Sequence, residues 1–148
     1  MYPFVLGLHN LLRWGVLLSA VAVLALLLPG LTGRRAWTRR ESLAASVYSG
    51  LMYLQLFVGL ALYLGVSPYM AGILNDFGTA LKGSETRFFA AEHVTGMLLA
   101  VLFAHLGNVL GQRPLEDARK YRVSALWFGL SLLSVLTLIP WWRPLLRL

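Results

Sequence analysis

Residues 87–105 read RFFAAEHVTGMLLAVLFAH, and this stretch decides how the chain folds. It belongs to an apolar run long enough to span a membrane as a helix, yet it contains Glu92, His93 and His105. Ionisable groups are costly in hydrocarbon, so they usually face a bundle interior. A stripe of small residues, which lets a helix or a flat cofactor come close, recurs every four positions at Gly96, Ala100 and Ala104. We therefore expect this helix to form one wall of a cofactor site.

The composition indicates a polytopic membrane protein. Of the 148 residues, 58% are hydrophobic and only 13% are charged. The chain has no cysteine, which excludes disulfides, thiolate metal sites and covalent c-type haem attachment. The net charge of +7 comes from basic residues in short loops, which favours a role in membrane orientation and not in nucleic-acid binding.

Four apolar runs are each long enough to cross a bilayer, and a proline or glycine lies at or just beyond the end of each. The sequence predicts one all-α membrane domain over residues 1–148, an up-and-down bundle with helices at about 3–28, 42–66, 87–111 and 123–142. The first run lacks the features of a cleaved signal peptide, so we expect it to be retained. In the loop at 67–86, residues 71–81 form either a short amphipathic helix or irregular structure.

Basic residues predict the orientation of the bundle. The first and third loops hold eight, namely Arg34, Arg35, Arg39, Arg40, Arg113, Arg119, Lys120 and Arg122. The outer segments hold four, namely Lys82, Arg87, Arg143 and Arg147. The positive-inside rule then puts the first and third loops in the cytoplasm and both termini outside, as in a multi-pass protein of the cytoplasmic membrane. Thr38 and Glu41 have the spacing of a capping box at the start of the second helix.

Two histidines on different helices lie at one depth. His9 and His93 each follow the outer end of their helix by about five residues, which is roughly 8 Å of helical rise. An axial pair on a haem b iron requires this arrangement, with the second ring nitrogen of each imidazole hydrogen-bonded elsewhere. The structural alternative is that both histidines only hydrogen-bond within the bundle or cap helix ends.

Arg13 lies one turn deeper than His9 on the same helix face. A buried arginine needs an anion, and two candidates remain open. One is Glu92. The other is a haem propionate, with Arg87 assisting near the surface and with Gly96 and Ala100 admitting the macrocycle.

His105 follows His93 by twelve residues, about 18 Å along the helix. Three histidines cannot ligate two bis-histidine haems. His105 could bind a second haem together with Met52, lie in a quinone site, or hydrogen-bond within the bundle, and we favour the last. Gln55, near mid-membrane, is expected to hydrogen-bond across helices.

Three short motifs resemble a family of small four-helix bacterial membrane proteins whose members are often labelled cytochrome b-like. The motifs are LHNLLRW at 8–14, RFFAAEH at 87–93 and LIPWW at 138–142. The resemblance implies that the histidines matching His9 and His93 recur in the family, whereas the position of His105 varies. It therefore supports the pair as ligands and weakens a second haem.

These observations predict a haem b-binding membrane subunit (a b-type cytochrome) that passes electrons near the outer face of the membrane. With little mass outside the bilayer, it would work within a larger respiratory or photosynthetic complex and would not be catalytic alone. One alternative is a cofactor-free accessory subunit of a membrane complex. Another is a quinone-binding protein that uses His93, Glu92 and Tyr63.

Overall fold

The computed structural model describes residues 1–144; Arg147, one of the four basic residues predicted to lie outside, is not among them. The described chain is helical, without strands. Its helices are α1 (Tyr2–Leu27), α2 (Arg39–Ala61), α3 (Pro68–Asn75), α4 (Phe77–Ala80), α5 (Ser84–Arg87), α6 (His93–Gly111) and α7 (Asp117–Leu138). A 3-10 turn at Leu28–Thr32 extends α1, and π-helical turns at Leu62–Val66 and Phe88–Glu92 follow α2 and precede α6.

Four continuous helical segments are long and apolar enough to cross a membrane, which confirms the predicted number. The fourth differs most from its prediction, because it begins at Asp117 and ends at Leu138. Its first two turns are charged but still helical, so the apolar run alone placed the start too late. It ends before Pro140 because proline has no N–H to continue the helix.

The long helices form a bundle in which α1 packs against α2 and α7, while α6 packs against the same two helices. Residues at both ends of the described chain, Tyr2 and Pro144, line one cavity. The bundle therefore has a cavity end, near the first and last described residues, and a loop end, which carries the two arginine-rich connections.

The small residues of α6 form the central packing surface. All five are buried: Gly96, Ala100, Ala104, Gly107 and Gly111. Because the side chains are small, neighbouring helices can reach the backbone carbonyls, and three of these carbonyls accept hydrogen bonds from hydroxyl groups. Ser131 donates to Ala100 O (2.7 Å), Ser124 to Gly107 O (2.9 Å) and Ser49 of α2 to Ala104 O (3.1 Å). The small-residue stripe thus lets α2 and α7 come close enough for their side chains to contact the α6 backbone.

Aromatic side chains fill the remaining interior. Tyr48 is fully buried, its hydroxyl lies 2.7 Å from Ser131 Oγ, and its ring meets Phe128 edge-on at 5.4 Å. At the loop end, Tyr121 packs beside Trp37 and donates to Ala36 O (3.0 Å), which fastens the first loop to α7.

The connections follow local capping chemistry. The predicted capping box is confirmed, because Thr38 N donates to Glu41 Oε2 (2.8 Å) and Arg40 N donates to Thr38 Oγ1 (3.2 Å). The loop at 67–86 contains the short helices α3, α4 and α5. Over 71–81, where the sequence left a single helix and irregular structure open, two helices meet at Asp76, which accepts from Thr79 N (3.1 Å) and starts α4.

A pair of glycine substitutions tests this packing. In Gly107→Ala the new methyl group would lie 2.7 Å from Phe128 Cε1, whereas in Gly50→Ala it would meet nothing within 4 Å. Both gain helix propensity, so their difference reports packing. We expect Gly107→Ala to be less stable than Gly50→Ala by about 1–3 kcal/mol in detergent unfolding. Equal stability would mean that α7 does not pack on α6 at this point.

Candidate functional site

The cavity end of the bundle encloses a space of about 200 Å³. Its walls come from α1, α2, α3, α6 and α7, from both π-helical turns and from the residues after α7. Most of the wall is apolar, including Leu6, Val16, Met52, Met97, Val135 and Ile139. Among its polar members are His9, Asn10, Arg13, Gln55, His93 and Arg143. The structure therefore brings the two matched histidines to one cavity.

His93 is held by a carbonyl at the end of α7. Its Nδ1 lies 2.8 Å from Leu138 O, and a carbonyl can only accept, so Nδ1 carries the hydrogen. In the neutral ring, Nε2 then has a free lone pair. A backbone carbonyl that fixes the tautomer in this way is the usual support of a metal-binding imidazole.

His9 is held differently, by Gln55 of α2. Gln55 Nε2 donates to His9 O (3.0 Å) and lies 3.3 Å from His9 Nε2, so the amide also donates to the ring. His9 Nδ1 therefore carries the hydrogen. Within the described chain, His9 Nδ1 and Gln55 Oε1 are buried without a hydrogen-bond partner. The expected hydrogen bond of Gln55 across helices is confirmed, and it engages a predicted ligand.

Two arginines supply positive charge to the cavity wall. Arg13 is buried, with 8% of its surface exposed. Arg143 lies at the mouth, where its Nη2 is 2.5 Å and its Nε 3.0 Å from Glu85 Oε1. Its guanidinium also covers the rings of Tyr69 and Phe89. Arg143 is not predicted as a site residue from the sequence, because a basic residue after the last apolar run carries no signal beyond orientation.

Arg87 and Glu92 pair with each other outside the cavity. Arg87 Nε lies 2.7 Å from Glu92 Oε1, and both side chains are about half exposed, at 50% and 45%. This pair corrects two expectations. Glu92 is not the partner of Arg13, and Arg87 does not line the cavity, because the π-helical turn at Phe88–Glu92 brings the two side chains together on the outside of the bundle.

Gly96 and Ala100 also lie away from the cavity wall, which corrects their expected role of admitting a macrocycle. The Leu138 side chain occupies the space where a Cβ on Gly96 would point, and Ala100 packs under Ser131. The space beside Gly96 and Ala100, where a cofactor was expected, is therefore filled by helix α7. From α6 the wall is instead formed by His93, Val94, Met97 and Val101.

His105 lies on the outer surface of the bundle, where its Nδ1 is 2.8 Å from the Tyr53 hydroxyl. The favoured interpretation, a hydrogen bond within the bundle, is confirmed. Met52 is buried and lines the cavity, so it does not meet His105 as a joint ligand of a second haem. Tyr63 donates to Ala90 O (2.6 Å).

The donor set fits a haem with two axial histidines. The described residues hold no cluster of three or more metal-binding side chains, but haem iron needs only two from the protein. Both imidazoles carry hydrogen on Nδ1, which suits ligation through Nε2. His93 meets this requirement as it stands, whereas His9 would have to exchange the Gln55 amide for iron. Arg13 and Arg143 suit the two propionates.

Comparison with known proteins identifies no relative of this chain. No family model matches the sequence. No curated protein and no solved structure matches it either.

The Arg143–Glu85 contact should hold the cavity mouth together. We expect Arg143→Met to speed hydrogen exchange of the backbone amides in α5 and in the following π-helical turn, since it removes both the ion pair and the stacking on Phe89. Arg113→Met, at the loop end, is the matched control. Unchanged exchange in Arg143→Met would show that the mouth is held by other contacts.

Proposed function

We propose that the chain is a haem b-binding subunit of a membrane complex that transfers electrons. The observation that supports this most is the pair of imidazoles that line one largely apolar cavity, each with its hydrogen on Nδ1. An apolar cavity with a few placed polar groups is typical of cofactor sites.

The residues that line the cavity would have different roles in binding haem. His93 would be one axial ligand, oriented by the Leu138 carbonyl, and His9 the other. Arg13 and Arg143 would neutralise the propionates, and Met97, Val101 and Val135 would exclude water. Haem b supplies a one-electron couple between ferric and ferrous iron, and the protein tunes it through ligation, burial and hydrogen bonding.

The basic loops support an orientation with the cavity end outside. The eight basic residues of the first and third loops lie at the loop end, which the positive-inside rule assigns to the cytoplasm of a bacterial cell. The haem would then lie near the outer face of the inner membrane. A subunit this small would pass electrons to or from a larger respiratory or photosynthetic partner.

A second candidate is a cofactor-free accessory subunit. The seam between α2 and α6 presents polar groups on the outer surface, at Ser46, Tyr53, His105, Asn108 and Gln112. Polar side chains on a lipid-facing surface favour contact with another membrane protein. The quinone alternative has less support, because Glu92 and Tyr63 are engaged by Arg87 and Ala90.

The test is a reduced-minus-oxidised spectrum of protein expressed with ample haem, with a pyridine haemochrome count. We expect one haem b per chain. His93→Ala should retain at least about tenfold less haem, because even loss of a supporting hydrogen bond weakens metal affinity about 10–100-fold. His9→Ala should keep haem but lose the sharp reduced α-band, and His105→Ala should match the wild type. A colourless wild-type protein would instead favour the accessory subunit.

A further inference from the structure

The side-chain amide nitrogen of Gln55 contacts two atoms of His9. Its Nε2 donates to the backbone carbonyl of His9, which fixes the amide, and to the ring at Nε2, which is the nitrogen that ligation would use. Both residues line the cavity. Ligation by His9 and the hydrogen bond from Gln55 therefore compete for one lone pair.

Gly59 makes room for the ring in this held position. A Cβ at Gly59 would lie 3.1 Å from His9 Cε1 and 3.6 Å from His9 Nδ1. The imidazole thus packs directly on the bare backbone of α2, one turn beyond Gln55. A methyl group at this position would move the ring from α2 by a few tenths of an ångström.

The held position is only partly satisfied. The ring gains one neutral hydrogen bond, but His9 Nδ1–H and Gln55 Oε1 are buried without partners among the described residues. A buried polar group without a hydrogen bond costs more free energy than a made hydrogen bond contributes. His9 is therefore weakly held and can be exchanged, whereas His93 is fixed through the nitrogen that ligation does not need.

We propose that Gln55, with the clearance at Gly59, acts as a lock that sets the fraction of His9 available to hold a haem iron, so that His93 would be the permanent ligand and His9 the exchangeable one. This inference rests on the proposed function. With haem bound, His9 would give up the hydrogen bond from Gln55 Nε2 and would use the Nε2 lone pair to hold the iron. The proton stays on Nδ1 and no electron is transferred. Gln55 is a positioning residue, because it acts only through His9.

Carbon monoxide titration of the reduced, haem-loaded protein tests the lock, because CO competes with His9 for iron. We expect Gln55→Leu and Gly59→Ala each to lower the apparent CO affinity by about fivefold, the equivalent of one neutral hydrogen bond of about 1 kcal/mol. Gly50→Ala, on the same helix in open space, and Gln112→Leu, near the loop end, are matched controls and should leave it unchanged.

A double variant shows whether Gln55→Leu changes CO affinity through His9 or through a general change in packing. In a His9→Ala background, Gln55→Leu should have no further effect on CO affinity, because the residue on which it acts is gone. Wild-type CO affinity in both Gln55→Leu and Gly59→Ala, or an equal effect of Gln55→Leu with and without His9, would overturn the inference while leaving haem binding by His93 intact.

A second readout needs no haem. In the unloaded protein with ¹⁵N-labelled histidine, identified by difference from His9→Ala, we expect His9 to carry its hydrogen on Nδ1 in the wild type and to lose this preference in Gln55→Leu. A wild-type His9 with hydrogen on Nε2 would overturn the lock directly. A wild-type protein that takes up no haem would instead overturn the proposed function, so the two failures are distinguishable.

Discussion

Each polar group inside this apolar bundle depends on a hydrogen-bond partner within the chain, because burial without one is costly. The serines meet this constraint by donating to α6 carbonyls that the small-residue stripe leaves accessible, as Ser131 does to Ala100. Tyr48 meets it through Ser131. The same hydrogen bonds fix the positions of α2 and α7 against α6. The hydroxyl groups therefore gain their partners only when these helices pack together.

The constraint distinguishes the two histidines. His93 finds its acceptor at the Leu138 carbonyl, which is accessible because α7 ends before Pro140. His9 finds a donor, Gln55, and its Nδ1 has no hydrogen-bond partner among the described residues. The two imidazoles that line the cavity are therefore held in different ways, one through Nδ1 and the other through Nε2.

The level of each residue along its helix is predicted well from the sequence, but the direction in which it faces around the helix axis is predicted poorly. The rise per residue is nearly constant in a helix, so equal spacing from the helix ends put His9 and His93 at one level, and the structure places both on one cavity. Rotation about the axis has no such rule here, because these helices are apolar on every side. Gly96 therefore faces α7, and a π-helical turn brings Arg87 to Glu92. Gln55 was predicted to bond across helices, but its partner depends on tertiary packing.

The cavity forms at the end of the bundle where helical regularity is lost. The turn at Leu62–Val66 ends α2, the turn at Phe88–Glu92 precedes His93, and Pro140 follows α7. Widened turns and prolines interrupt the close packing that α6 maintains further along, and π-helical turns are frequent at functional sites. Away from this end, α6 and the first loop pack closely on α7: a Cβ on Gly107 would meet the Phe128 ring, and a Cβ on Gly30 would enter the Tyr121 ring. The irregular turns therefore coincide with the end of the bundle where His9, Gln55 and His93 line one cavity.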